Sequence, residues 1–272
     1  MMITLNPKRP FRIPIESECI SPDVFSQKRL MEIKSLKVWE GNRKKTLGSL
    51  FKIDEEKDTE EEITIKIFGD LSRVRRIGTE MSTGKIIVNG DVGMHLGEEM
   101  KGGEIIVFGN SDSWVGSMME NGTILIKGNA DDYIGSSYRG ASNRGMKGGS
   151  IIIEGSAGSN LGYFMRGGFI KIGSVGQFAG IHMKGGTILV QRDSIGRTGA
   201  QMTGGRIIVQ GHIPNILPTF TIDSIRKTAK VNDERIEGPF YRFIGDLADH
   251  GRGRLFISQS RNPHLRIYEE YL

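Results

Sequence analysis

One phrase, MKGGEIIVFGN at residues 100–110, recurs along the chain, and its recurrence constrains the fold more than any other feature. Copies begin MSTGKIIVNG at Met81, MKGGEIIVFG at Met100, MENGTILIKG at Met119, MKGGSIIIEG at Met146, MRGGFIKIG at Met165, MKGGTILVQ at Met183 and MTGGRIIVQG at Met202. Successive starts lie 19, 19, 27, 19, 18 and 19 residues apart. An imperfect earlier copy, ITIKIFGDLSRVRRIG, leads into the first.

The columns of the repeat alternate. Ile86, Ile105, Ile124, Ile151, Ile170, Ile188 and Ile207 occupy one position; Val88, Val107, Ile126, Ile153, Ile172, Val190 and Val209 occupy another two residues on. All are β-branched, and the residue before the first column is mostly polar, as in Lys85, Glu104 and Thr123. This period of two marks a strand with one buried face, and the permissive middle column, which includes Lys171, is expected to face outward. One such strand per copy cannot bury its apolar face alone, so the copies must stack. Stacking at about 4.8 Å sets Ile on Ile and Val on Val. The expected fold is all-β: a right-handed parallel β-helix, or solenoid, of seven to eight rungs, roughly 35 Å long. Leucine-rich repeats share the period but need leucine and asparagine columns, and Gly-Gly in most copies would break helical repeats.

Each copy continues into a second half that closes on Gly97, Gly116, Gly135, Gly162, Gly180 or Gly199. The preceding residues, Leu96, Val115, Ile134, Leu161, Ala179 and Thr198, form another inward column. The leading methionines, seven of the chain's 12, are expected to fill the core rather than bind soft metal. The 38 glycines in 272 residues, about twice the usual share of roughly 7%, are thus corner chemistry. Gly78–Lys85, GTEMSTGK, misses the P-loop pattern: five residues separate the glycines, and Ile86 follows the lysine. No G-x-G-x-x-G opens a helix, so a dinucleotide site is not supported.

Flanking the repeats (63–211), residues 1–62 are expected to form an N-terminal arm and cap, and 212–272 a C-terminal cap. NPKRPFRIPIE reads as an extended, proline-broken arm suited to wrapping a partner. Ser21 and Pro22 are placed to start a helix, KVWEGNRKKTLGSLFKI suggests a hairpin, and AKVNDERIE and RFIGDLADHGRGRLFIS suggest short strands. The acidic run DEEKDTEEE at 54–62 reads as an exposed loop.

Function is harder to read. A net charge of +5 with no basic–aromatic cluster argues against nucleic-acid binding. No stretch approaches the roughly 18 apolar residues of a membrane helix, and the N-terminus carries no apolar secretory core, so a cytoplasmic location is expected. The single cysteine, Cys19, can hold neither an internal disulfide nor an iron–sulfur cluster. His95, His182, His212, His250 and His264 lack zinc-ligand spacing. Asp131 and Asp132 are adjacent, and neighbours on a strand point to opposite faces, so they do not form an acid–base pair. No Ser/His/Asp set stands out. The expected catalytic, cofactor-binding and metal-binding residues of this chain are therefore none. The copy at Met119 is eight residues longer than its neighbours. Its segment YIGSSYRGASNRG, 133–145, is expected to bulge as a loop offering Tyr138, Arg139, Asn143 and Arg144 to a partner, since Arg and Tyr favour interfaces; the alternative is a solvated insertion.

The G-x-x-G-x-x-x-G element at Gly90, Gly93 and Gly97, at Gly155, Gly158 and Gly162, and at Gly173, Gly176 and Gly180 resembles the β-helical domain of the glutamate synthase large subunit. The second halves beginning at 109 and 128 lack the middle glycine, and the one at 192 shifts it to Gly196. PDVF at 22–25, YIGSSYRG and RGMKGG around the insertion, and GPFYRFIGD at 238–246 resemble the C subunit of formylmethanofuran dehydrogenase from methanogenic archaea, over nearly the whole chain. That resemblance implies a scaffold subunit, itself non-catalytic, of an oxidoreductase complex that reduces CO2 and captures it as formylmethanofuran in the first step of methanogenesis. It implies partners carrying tungsto- or molybdopterin, iron–sulfur clusters in ferredoxin-type subunits, and zinc in an amidohydrolase-type subunit. The C subunit of a bacterial formyltransferase/hydrolase complex, a freestanding glutamate-synthase-type domain and a carbohydrate-acting β-helix enzyme are the alternatives. The last needs a groove of carboxylates and aromatics that the outward columns do not offer.

Overall fold

The computed structural model describes residues 1–56, 62–138, 140, 144–232 and 234–272. The chain is all-β with a few short helices. In the N-terminal part, β1 (Met2–Pro7), β2 (Ile15–Glu16), α1 (Pro22–Phe25), α2 (Leu30–Ser35), β3 (Lys37–Glu40), β4 (Arg43–Thr46), α3 (Leu47–Leu50) and β5 (Phe51–Glu56) follow in order. The repeats supply β6 (Thr64–Phe68), β7 (Val74–Arg75), β8 (Lys85–Asn89), β9 (Glu104–Val107), β10 (Thr123–Ile126), β11 (Ser150–Ala157), β12 (Phe169–Gln177), β13 (Thr187–Val190), β14 (Ser194–Gly196) and β15 (Arg206–Val209). The C-terminal part adds β16 (Thr221–Val231), β17 (Glu234–Gly245) and β18 (Gly253–Ser258).

Like residues stack on like. β6, β8, β9, β10, β11, β12, β13 and β15 pair in parallel, each with the next, without a register slip at the inward columns. Ile65, Ile86, Ile105, Ile124, Ile151, Ile170, Ile188 and Ile207 form one ladder, each 0% exposed. Burying each contributes about 1.5–3 kcal/mol. A second parallel ladder links Leu71, Val92, Ser111, Ala130 and Ala157, and continues through Val175 to Ser194. The seven leading methionines are all 0% exposed. Each of the first six puts its terminal methyl under the second corner glycine of the following copy, Met81 under Gly103 and Met183 under Gly205 among them.

Three expectations need correction. The N-terminal segment does not stand off as a free arm. β1 pairs in parallel with β6, which extends the first ladder, and antiparallel with β5, while β2 pairs in parallel with β7 in a separate four-stranded sheet with β3 and β4. Ile3 and Leu5 supply the inward residues that this pairing needs, both 0% exposed. Pro22 begins a helix as expected, with Ser21 at its N-cap position in extended conformation, although α1 is only four residues long and the Ser21 side chain makes no capping hydrogen bond. AKVNDERIE is not one short strand, because Asn232 turns with φ 50° and joins β16 and β17, of 11 and 12 residues, into a long antiparallel hairpin. The middle column faces outward as expected, but its last two members are covered. Leu189 and Ile208 pack with Ala229, Val231, Phe240 and Phe256 in a second core beneath the hairpin. The expected hairpin in 37–53 is present as β3–β4.

Candidate functional site

The second half of each copy turns through a residue two places before its closing glycine. These residues, His95, Trp114, Tyr133, Asn160, Phe178 and Arg197, all have φ between 53° and 71° without being glycine. Such a conformation is uncommon for L-residues. Here the backbone is pinned from copy to copy: His95 N–H donates to the Ser113 carbonyl at 3.1 Å, and Trp114 N–H to the Asp132 carbonyl at 2.9 Å. The side chains therefore project side by side. Trp114 stacks on Tyr133 with centroids 4.3 Å apart, His95 on Trp114 at 6.1 Å, and, two residues past the closing glycines, Phe164 on His182 at 4.6 Å.

Tyr138 enters this row from the insertion. Part of the segment expected to bulge outward, Arg139 and 141–143, lies outside the described residues, and Gly140 and Arg144 beside them are exposed. At its root Ser136 and Ser137 are fully buried, and Tyr138 leans back onto the stack, 5.1 Å from Trp114 between ring centroids. Its hydroxyl donates to Glu98 and lies 2.9 Å from His95 Nδ1. A phenol has one proton; given to Glu98, it leaves the oxygen to accept from Nδ1–H of a neutral His95. Arg76 donates to the other Glu98 oxygen and lies 3.4 Å from Glu16 and 3.7 Å from Glu18. One guanidinium thus serves three carboxylates at the edge of a cavity of about 600 Å³, also lined by Cys19, Arg75 and His95. Arg139 and Asn143 lie outside the described residues. Arg144 is exposed and lines a separate 330 Å³ cavity with Glu120, Lys147 and Arg166, so it does not join Tyr138.

The electrostatics follow from burial. Glu98 is 4% exposed, and burial pushes its carboxyl up, with Arg76 pulling it back down. Burial, then Arg76, pushes the His95 imidazole down to about 4. Burial raises the Cys19 thiol to about 11, which keeps it unreactive at neutral pH. Both Glu98 oxygens are engaged, so this carboxylate fastens the root of the insertion to the stack. Among the described residues, no group of three or more His, Cys, Asp or Glu side chains is placed to hold a metal ion, and no helix is long and apolar enough to cross a membrane. Of this cluster, the sequence pointed only to Tyr138. Glu98 and Arg76 are 40 and 62 residues away and carry no motif; a His three residues before a Glu was the one local hint.

The low His95 value makes a pH prediction. A group whose folded pKa lies below its ordinary 6.5 takes up its proton first in the unfolded chain. Its stabilising contribution is complete above about pH 6.5 and is lost as pH falls toward 4, by about 3 kcal/mol. Glu98, raised from 4.5, works in the opposite sense: its contribution is present at acid pH and lost as pH rises. His95→Asn isolates the imidazole, because Asn160 already occupies the same turn position. In urea titrations from pH 7 to 4, the wild type is expected to lose more stability than the variant. Parallel pH curves would refute the imidazole's role.

No family model matches the chain. Among curated proteins, it is 42% identical to the C subunit of tungsten-containing formylmethanofuran dehydrogenase 2 from Methanococcus maripaludis, over 97% of this chain and 98% of that protein. The chain belongs to the family of formylmethanofuran dehydrogenase C subunits. Within that family, the C subunit of molybdenum-containing formylmethanofuran dehydrogenase 1 from Methanothermobacter marburgensis is 50% identical over 96 residues, 35% of this chain, and the match spans only 24% of that longer protein. Among solved structures, a chain of the formyltransferase/hydrolase complex of Methylorubrum extorquens, determined with methylofuran, superposes with a TM-score of 0.81. That match is 31% identical and covers 94% of this chain and 99% of that one.

Proposed function

We propose that this chain is the structural C subunit of a formylmethanofuran dehydrogenase complex, which reduces CO2 and captures it as formylmethanofuran. In this reading its stacked strands wind as a right-handed parallel β-helix, with residues 1–62 and 212–272 closing the two ends. The chain works in the cytoplasm, binds no cofactor and does no chemistry itself. It positions the subunits that carry the tungsto- or molybdopterin, the iron–sulfur clusters and the zinc. The observation that carries the proposal is the 42% identity across 97% of the chain to a protein of that name. The Glu98 cluster supports a structural role, since both carboxylate oxygens are held by protein donors. In-register parallel pairing from β1 to β18 supports the winding.

A second reading, the C subunit of a formyltransferase/hydrolase complex, is favoured by the structural likeness to the Methylorubrum chain. Gentle native purification with metal analysis separates the two. Recovery with other subunits plus tungsten or molybdenum, iron and zinc is expected. Zinc without a pterin metal would favour the second reading. A stable lone chain without metal or chromophore would refute both.

A further inference from the structure

The column that precedes the first inward residue holds Lys85 and Glu104 near one end of the sheet, paired at 2.7 Å. At the other end, the same column holds Arg206 on β15 and Arg254 on β18, directly in register. Like charges placed opposite each other across strands are destabilising. Neither makes a salt bridge with a carboxylate among the described residues. Arg206 gives one Nη1 hydrogen to the Lys230 carbonyl at 2.6 Å, while its Nε is buried without a partner. Burial, then Arg254, lowers Arg206 from its ordinary value. Arg252 completes a cavity of about 350 Å³ with these two. It adjoins a second cavity, of about 540 Å³, which shares Arg252 and Arg254 and is walled by Ile244 and Leu247. Leu247 is 49% exposed.

We infer that Arg206, Arg252 and Arg254 form a docking site for a carboxylate-bearing segment of a partner subunit, with an apolar residue beside the carboxylate seated against Ile244 and Leu247. Two adjacent guanidiniums match the two oxygens of a carboxylate and gain most where water is excluded. A free inorganic anion would leave the neighbouring apolar cavity unfilled; a side chain beside an Asp or Glu fills it. Desolvated arginines are also common anchors at interfaces.

The inference rests on the reading of the chain as a subunit of a complex. Complexes are purified from cells carrying wild type or Arg206→Gln/Arg254→Gln, then washed over a salt gradient. The variant chain is expected to leave at lower salt, with association about tenfold weaker. The isolated full-length variant is expected to melt at or above the wild-type temperature, because the repulsion between guanidiniums is gone. Equal retention of both chains, or a variant that melts lower when alone, would overturn the docking site and leave the complex reading standing. A wild-type chain recovered alone would overturn the complex reading, and this inference with it. Inorganic phosphate raising the melting temperature of the free wild type but not of the variant, with retention unchanged, would assign the pocket to a free anion and so overturn partner docking.

Discussion

Gly103→Val is expected to cost the chain about 2–5 kcal/mol, enough to unfold a marginally stable domain. Two effects add at this position. The backbone has φ +77°, which costs an L-residue roughly 1–2 kcal/mol, more when β-branched. An added Cβ would also lie 2.5 Å from the Met81 methyl and 2.7 Å from the Gly84 carbonyl oxygen. The methyl can move; the carbonyl belongs to the preceding copy's corner and cannot. Overpacking of this kind costs about 1–3 kcal/mol. Gly140 is the control. It has φ +84° but, among the described residues, no atom within 4 Å of an added Cβ, so Gly140→Val tests the backbone strain without that packing clash. Denaturant unfolding of the two variants should differ by the packing contribution. Equal losses would show that the Met81–Gly103 corner is not under steric control.

What the sequence made legible is the part that repeats. In-register stacking forces each column to a single environment, so Ile86 through Ile207 could be read from period and type alone. The same logic placed the methionines in the core, although their fit under the next copy's glycine is a contact between copies that only coordinates reveal. The ends were less legible because they depart from the repeat. Ile3 and Leu5 alternate as an inward pair should, but Pro7, Pro10 and Pro14 drew attention to a broken arm. In VNDERI, Asn232 is a turn signal inside what otherwise reads as one strand. The covering of Leu189 and Ile208 depends on how that hairpin folds back, which no local pattern encodes. The candidate site was legible only at Tyr138. Its partners are joined to it by the stacking of copies, so residues far apart in sequence become neighbours.

Removing Arg76 should be the most damaging change at the site. Its guanidinium is the cation held directly against Glu98, and it also reaches Glu16 and Glu18. Arg76→Met keeps most of the side-chain length and removes the charge, leaving a carboxylate that is 4% exposed with the Tyr138 hydroxyl and, at 3.9 Å, a neutral His95 beside it. Breaking a buried pair in this way typically costs about 3–5 kcal/mol, because the surviving charge stays desolvated and uncompensated. Adding Glu98→Gln in the same chain should recover much of the loss, since a neutral amide does not need the cation. The pH dependence gives an independent signature. Without Arg76 the Glu98 carboxyl rises further above its ordinary 4.5, so protonation can neutralise it. The variant's deficit relative to wild type should therefore shrink as pH falls from 7 to 5. His95 moves the same way, because Arg76 is one of the charges holding its imidazole down. A deficit under about 1 kcal/mol at pH 7, the range of an exposed ion pair, would show that the buried pair does not hold the insertion's root. A deficit that stays constant with pH would show that Arg76 acts through packing rather than through the charge on Glu98.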